Sequence, residues 1–179
     1  MNNKILHLAK LTTKVLLIGD ILLAFILIVL MIVWQVDTSY FSDIRIVNDG
    51  SIFKFSNNPE LEGMPLSRYG SPYFYFLVFR ALLITGVLYL ILLTALRIIT
   101  SIENLETFRS ENVKSFRRMG NLFLLWFALA IPTITNINGV SSITMGLYFN
   151  YAVWALLCFV LAEIFGEGNK LMEDNKLTI

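Results

Sequence analysis

Four apolar runs, most of them long enough to cross a lipid bilayer, constrain this chain more than any other feature. They occupy residues 15–34, 74–99, 122–137 and 145–165. A helix needs about 17–25 apolar residues to traverse the hydrocarbon core. The third run is the shortest and contains Pro132, which removes a backbone donor and predicts a kink that packed neighbouring helices would satisfy. Apolar residues make up 56% of the 179-residue chain, against about 45–50% in soluble domains. The mean hydropathy is +0.69. The excess lies in the runs, so the expectation is an all-α membrane protein, one four-transmembrane-helix bundle spanning residues 1–179.

Basic residues then orient the bundle. With the N-terminus in the cytoplasm, Lys4, Lys10, Lys14, Arg97, Arg109, Lys114, Arg117, Arg118, Lys170 and Lys176 fall inside, and Arg45, Lys54, Arg68 and Arg80 outside. Ten of the 14 Lys and Arg residues on one side match the retention of positive charge in the cytoplasm during insertion. The expectation is N-in, C-in topology in a bacterial cytoplasmic membrane. Trp34, Tyr69, Tyr73 and Tyr75 flank the outer boundary, where amphipathic rings favour the headgroup level. The first run is longer than the 7–15 apolar residues of a signal peptide and no small-residue cleavage site follows it, so it is expected to stay as an anchor. A net charge of +1 gives no reason to expect direct nucleic-acid binding.

Outside the runs lie an outer loop, residues 35–73, a cytoplasmic linker, residues 100–121, and a cytoplasmic tail, residues 166–179. In the outer loop, residues 44–47 and 52–55 are β-prone and flank Asn48-Asp49-Gly50-Ser51. That pattern predicts a small β-hairpin, because Gly accepts the positive φ of a tight hairpin turn. In the linker, Ser110 before Glu111 and Asn112 reads as a helix start with a capping hydroxyl. Val113, Phe116 and Met119 recur at helical spacing, with Lys114, Arg117 and Arg118 on other faces. Such a basic amphipathic helix suits an anionic leaflet.

Chemistry is sparse. Cys158, the single cysteine, lies in the fourth run, and His7 is the single histidine. No thiolate–imidazole pair, zinc ligand set, phosphate-binding loop or dinucleotide fingerprint is present. The expectation is no enzyme, no cofactor and no metal. Ionisable residues within the runs are the functional candidates: Asp20 in the first, Arg97 near the cytoplasmic end of the second, and Glu163 near that of the fourth. At similar depth they are expected to form an intramembrane polar cluster. Arg80 is expected to pair with Asp37 or to snorkel to the headgroups. Gly86, Gly139 and Gly146 make no GxxxG face, which leaves a homo-oligomer open.

Two motifs carry a resemblance. Phe108-Arg109-Ser110-Glu111-Asn112, followed by Phe116-Arg117-Arg118-Met119-Gly120, resembles an F-x-x-E-N…L-R-R-I-G signature, with Phe116 in place of its aliphatic residue. The close, Leu161-Ala162-Glu163-Ile164-Phe165, then Gly168, Leu171, Glu173-Asp174 and Leu177-Thr178-Ile179, is similar to L-A-x-x-F-x-x-G-x-x-L-x-E-D-x-x-L-T-[IV]. Together they resemble the YoaS-like bacterial four-helix membrane proteins, a domain-of-unknown-function family. The resemblance implies a neighbouring small Xre-type helix-turn-helix protein and no activity. The first expectation is therefore a regulatory membrane protein that holds such a partner through Phe108, Glu111, Asn112, Phe116, Arg117, Arg118, Leu171, Glu173, Asp174 and Leu177. Alternatives are a small proton-coupled transporter using Asp20, and an immunity or stress protein meeting a membrane-active agent through the outer loop.

Overall fold

The computed structural model describes residues 3–41, 71–104, 108–137, 140–145 and 148–177. Its elements are α1 (Asn3–Val36), a 3-10 turn (Thr38–Phe41), α2 (Ser71–Glu103), α3 (Ser110–Ala130), β1 (Pro132–Ile137), β2 (Val140–Met145) and α4 (Phe149–Leu177). Three of the four helices, α1, α2 and α4, are long and apolar enough to cross a membrane. The outer-loop hairpin expected at residues 44–55 lies outside the described residues.

A stripe on α1 explains how it packs. Thr13, Leu17, Asp20, Leu27 and Trp34 are its buried residues, separated by three, four or seven positions. This is the spacing that keeps one seam of a long helix facing a partner. The partner is α2, whose buried residues are Phe74, Val78, Thr85, Val87, Ile91, Thr94 and Ile98. The two helices run antiparallel and are fastened at both ends. Lys10 Nζ donates to Glu103 Oε2 where α1 begins. At the other end the Trp34 and Phe74 rings stack with centroids 4.0 Å apart, and Phe41 tilts against Trp34 at 5.2 Å. Leu27 and Val78 complete that cluster. The rest of α1's circumference is exposed apolar surface, the face that a helix presents to lipid.

The helices form an open row rather than a closed bundle. Among the described residues α1 packs on α2 and the 3-10 turn, α2 on α3, and α3 on α4, while α1 and α4 do not meet. The start of α1, the end of α2, the start of α3 and the last turns of α4 share one end of the row, called proximal below. The 3-10 turn and the start of α2 lie at the opposite, distal end.

The third run is where sequence and structure part. The expected span over residues 122–137 does not form. Instead α3 starts at Ser110, inside the expected linker, and stops at Ala130. Its apolar stretch, residues 122–130, would be about 14 Å long at 1.5 Å per residue, roughly half the ~30 Å hydrocarbon core. Pro132 ends the helix instead of kinking it, since proline supplies no N–H to continue the ladder. The chain then turns back as an antiparallel hairpin, with Pro132 opposite Met145 and Ile137 opposite Val140. Helix α4 begins at Phe149, four residues later than the expected span. It continues to Leu177, so residues 166–177 extend the fourth helix, as expected of the tail. At the start of α3 the capping position is Arg109, with no side-chain cap bond, and Ser110 is the first helical residue.

Candidate functional site

Two places in the row concentrate polar or shape-specific residues. The first is the proximal end of α2, α3 and α4. Phe116 is buried in a cluster with Ile98 and Ala162, and its ring lies 4.8 Å from that of Phe165. Phe108, just before α3, sets its ring 5.6 Å from Phe165 and over Gly168, where an added Cβ would come within 2.4 Å of Phe108 Cδ1. Only a residue without a side chain admits that ring. Gly120 does the same for Phe159 of α4, whose Cε1 would be 2.7 Å from a Cβ. Beneath these rings Asn112 is buried and its amide donates to Ser101 Oγ at 2.9 Å, joining α3 to α2.

The two family-like motifs therefore interlock with each other. Phe108, Asn112 and Phe116 come from one, and Ala162, Phe165 and Gly168 from the other. Of the residues expected to receive a partner, Phe108, Asn112 and Phe116 serve this lock. Glu111 and Arg118 are exposed. Arg117 donates to Glu163 Oε1 at 2.8 Å, with both side chains more than half exposed. Leu171 is 64% exposed, and Glu173 accepts from the Asn169 amide at 2.9 Å. Asp174 is exposed, and Leu177 closes α4.

The second place is Asp20. It is buried, at 5% relative exposure, and its Oδ1 accepts no hydrogen bond. The expected cluster with Arg97 and Glu163 does not assemble: Arg97 is exposed, and Glu163 is held by Arg117 on the other side of the row. The fastenings of α1 to α2 fix what lies opposite. Ten residues on from Lys10, which meets Glu103, corresponds to position 93 of α2. Fourteen back from Trp34, which meets Phe74, corresponds to position 88. The buried α2 residues around that stretch are Val87, Ile91 and Thr94, and the Thr94 hydroxyl already donates to Leu90 O at 2.7 Å. An isolated charge at the middle of a membrane helix costs about 2.5–3.5 kcal/mol, so an acid so placed needs a physical reason.

Arg80 has neither of its expected roles. Its Nε donates to Leu129 O and its Nη2 to Ala130 O, each at 3.0 Å. These are end carbonyls that a helix cannot satisfy internally, so an arginine of α2 caps α3 at the point where Pro132 stops it. Asp37 instead accepts from its neighbour, the Ser39 N–H at 2.8 Å. That backbone bond, followed by one from the Ser39 side chain, holds the Asp37 carboxyl below its ordinary value. Among the described residues no three His, Cys, Asp or Glu side chains converge. Sequence reasoning missed Arg80 as a cap and Gly120 and Gly168 as ring seats. Glycines on positions facing another helix were the available signal for the last two.

No curated protein and no solved structure matches the chain significantly. A family model does match residues 56–179, which hold α2, α3, the hairpin, α4 and both interlocking motifs. The chain belongs to the family described as "protein of unknown function (DUF2975)".

Proposed function

We propose that the protein is a membrane-embedded regulatory subunit that holds a small cytosolic helix-turn-helix regulator, the partner implied by the YoaS-like motifs, at the extension of α4. The observation that carries this reading is the course of α4. It runs unbroken to Leu177, past the lock formed by Phe108, Phe165 and Gly168. There it exposes Leu171 and Met172 beside Lys170, Glu173 and Asp174, an apolar spot within a charged surface. A helix with such a surface suits a partner that lays its own apolar face against it. Glu111 and Arg118 of α3 flank the same end, and the interlocked rings fix the angle at which the extension leaves the row.

The proximal end is assigned to the cytoplasm. The excess of Lys and Arg belongs to that side, and the first turns of α1 and the last turns of α4 lie there, as an even number of traverses requires. In this reading α3 itself brings the chain back to the distal end, where Arg80 caps it, and the β1–β2 hairpin leaves and returns at that end before α4. Reporter fusions test the topology: a fluorescent protein should mature at both ends, and alkaline phosphatase should be inactive at both. Removal of residues 170–179 tests the tether. The helix-turn-helix protein, recovered with the intact chain after mild crosslinking, should leave the membrane fraction, while thermal unfolding of the truncated protein stays unchanged. A partner that remains membrane-bound at its full level after the truncation would refute the reading.

A further inference from the structure

The acid at Asp20 lies far from the α4 extension, and among the described residues nothing neutralises it. We propose that Asp20 is a proton-binding site inside the membrane, carried as the neutral acid in the α1–α2 seam and able to exchange its proton with water. The proposal does not depend on the tether reading.

The geometry carries it in three steps. Asp20 is more than nine-tenths buried, on the one stripe of α1 that meets another helix, so the carboxyl cannot swing out to the headgroups without leaving its partner. Its Oδ1 receives no donor, although a carboxylate in an apolar seam would draw in any N–H or O–H within reach. Among the described residues no counter-charge is available. Apart from the 3-10 turn at the far end, α2 is the only element packed on α1, and its charged residues are all committed or remote. Arg80 is bound to the α3 carbonyls, Glu103 is held by Lys10, and Arg97 is exposed. On α1 the nearest charged residue, Lys14, is six positions away and exposed. Tyr89 is the only titratable residue of α2 in the facing stretch, and a neutral phenol supplies no charge.

What remains to neutralise the carboxyl is a small cation. The structure favours the proton, because a metal ion needs several oxygen ligands. Among the described residues, the α2 stretch opposite Asp20 offers only two side-chain oxygens, the Tyr89 phenol and the Thr94 hydroxyl, the latter already donating to Leu90 O. A proton needs only the carboxyl itself. When the proton leaves, the seam holds a bare charge between Val87, Ile91 and Thr94. Either water enters or α1 shifts, so the protonation state is coupled to the α1–α2 contact.

Infrared spectroscopy of the protein in lipid nanodiscs reads this directly. With 13C-labelled aspartate, wild type should show an isotope-shifted carbonyl stretch of a buried carboxylic acid at neutral pH. The band should be absent from Asp20→Asn and should disappear at high pH. Reaction with a hydrophobic carbodiimide, mapped by mass spectrometry, should label Asp20. Above the midpoint of that transition, labelling should fall by about tenfold per pH unit, as the acid form does. A carboxylate band for Asp20 at neutral pH, with no acid band, would overturn the proposal. So would protection from labelling by sodium or potassium chloride at constant pH, which would mark an alkali-ion site. The wild-type band assignment holds whether or not Asp20→Asn folds. Loss of the partner on truncating α4 would leave all these readings unchanged.

Discussion

The seat of Phe108 on Gly168 makes a prediction whose sign depends on a second residue. Replacing Gly168 with Ala in an ordinary solvent-facing helix stabilises it by about 0.8–1.0 kcal/mol. Here the new methyl would lie 2.4 Å from Cδ1 and 2.6 Å from Cε1 of Phe108, so the ring must leave. Phe108 is 39% exposed, and full burial of a phenylalanine contributes about 1.5–3 kcal/mol. Roughly three-fifths of that is therefore at stake, together with the ring pair to Phe165, about 0.5–1.5 kcal/mol. The losses exceed the helix gain, and Gly168→Ala should destabilise the protein by about 0.5–2.5 kcal/mol. In a Phe108→Ala background the ring is absent, and the same substitution should stabilise by about the full helix gain. Thermal unfolding of the four proteins in one detergent measures both arms. Limited proteolysis of the α4 extension reports whether the lock has opened. Equal stabilisation by Gly168→Ala in both backgrounds would refute the seat.

Three further perturbations separate interactions that hold the row from those that decorate it. Arg80→Gln should lower thermal stability by about 1.5–3 kcal/mol, the scale of charge-assisted hydrogen bonds, and Arg80→Lys should recover only part, because a point donor cannot span two carbonyls. Lys10→Glu and Glu103→Lys should each lower the melting temperature slightly, since the pair is partly solvated, and the double exchange should restore it; a double variant worse than either single would exclude the pairing. Arg117→Ala, by contrast, should change unfolding by no more than about 0.5 kcal/mol, because the pair with Glu163 is largely exposed.

How far the sequence reveals this structure depends on which force set each element. Helices α1 and α2 were legible because lipid demands a long apolar run and little else; the structure extends them into flanking polar turns at Asn3 and Glu103. The region after Gly120 misled because Ile134, Ile137, Val140 and Ile143 count as apolar in a span and equally as strand formers. The Asn138-Gly139 step between β-branched runs is a recognised hairpin pattern and should have outweighed hydropathy. The basic helix at 110–120 and the apolar residues 122–130 are likewise one helix, which a division at the membrane boundary cuts in two. For the candidate site, hydropathy picks out Asp20 as an acid in an apolar run. Its lack of a partner depends on rotation about the helix axis. The stripe through Thr13, Leu17, Asp20, Leu27 and Trp34 directs it towards α2, while Arg97 sits one position from the buried Ile98 and faces away. Depth alone, the criterion for grouping Asp20, Arg97 and Glu163, carries no angular information.

An open row in chain order also says how such a protein can be made. Among the described residues every helix packs on the one synthesised just before it, and no contact of α1 waits for α3 or α4. Pairings between helices consecutive in the chain need no later segment before they can form. The α1–α2 pair can therefore settle as α2 leaves the ribosome, with Lys10 and Trp34 finding Glu103 and Phe74 before the hairpin or α4 exists. Assembly then follows translation one helix at a time, and the lock of Phe108 on Gly168, between segments sixty residues apart, closes the row last.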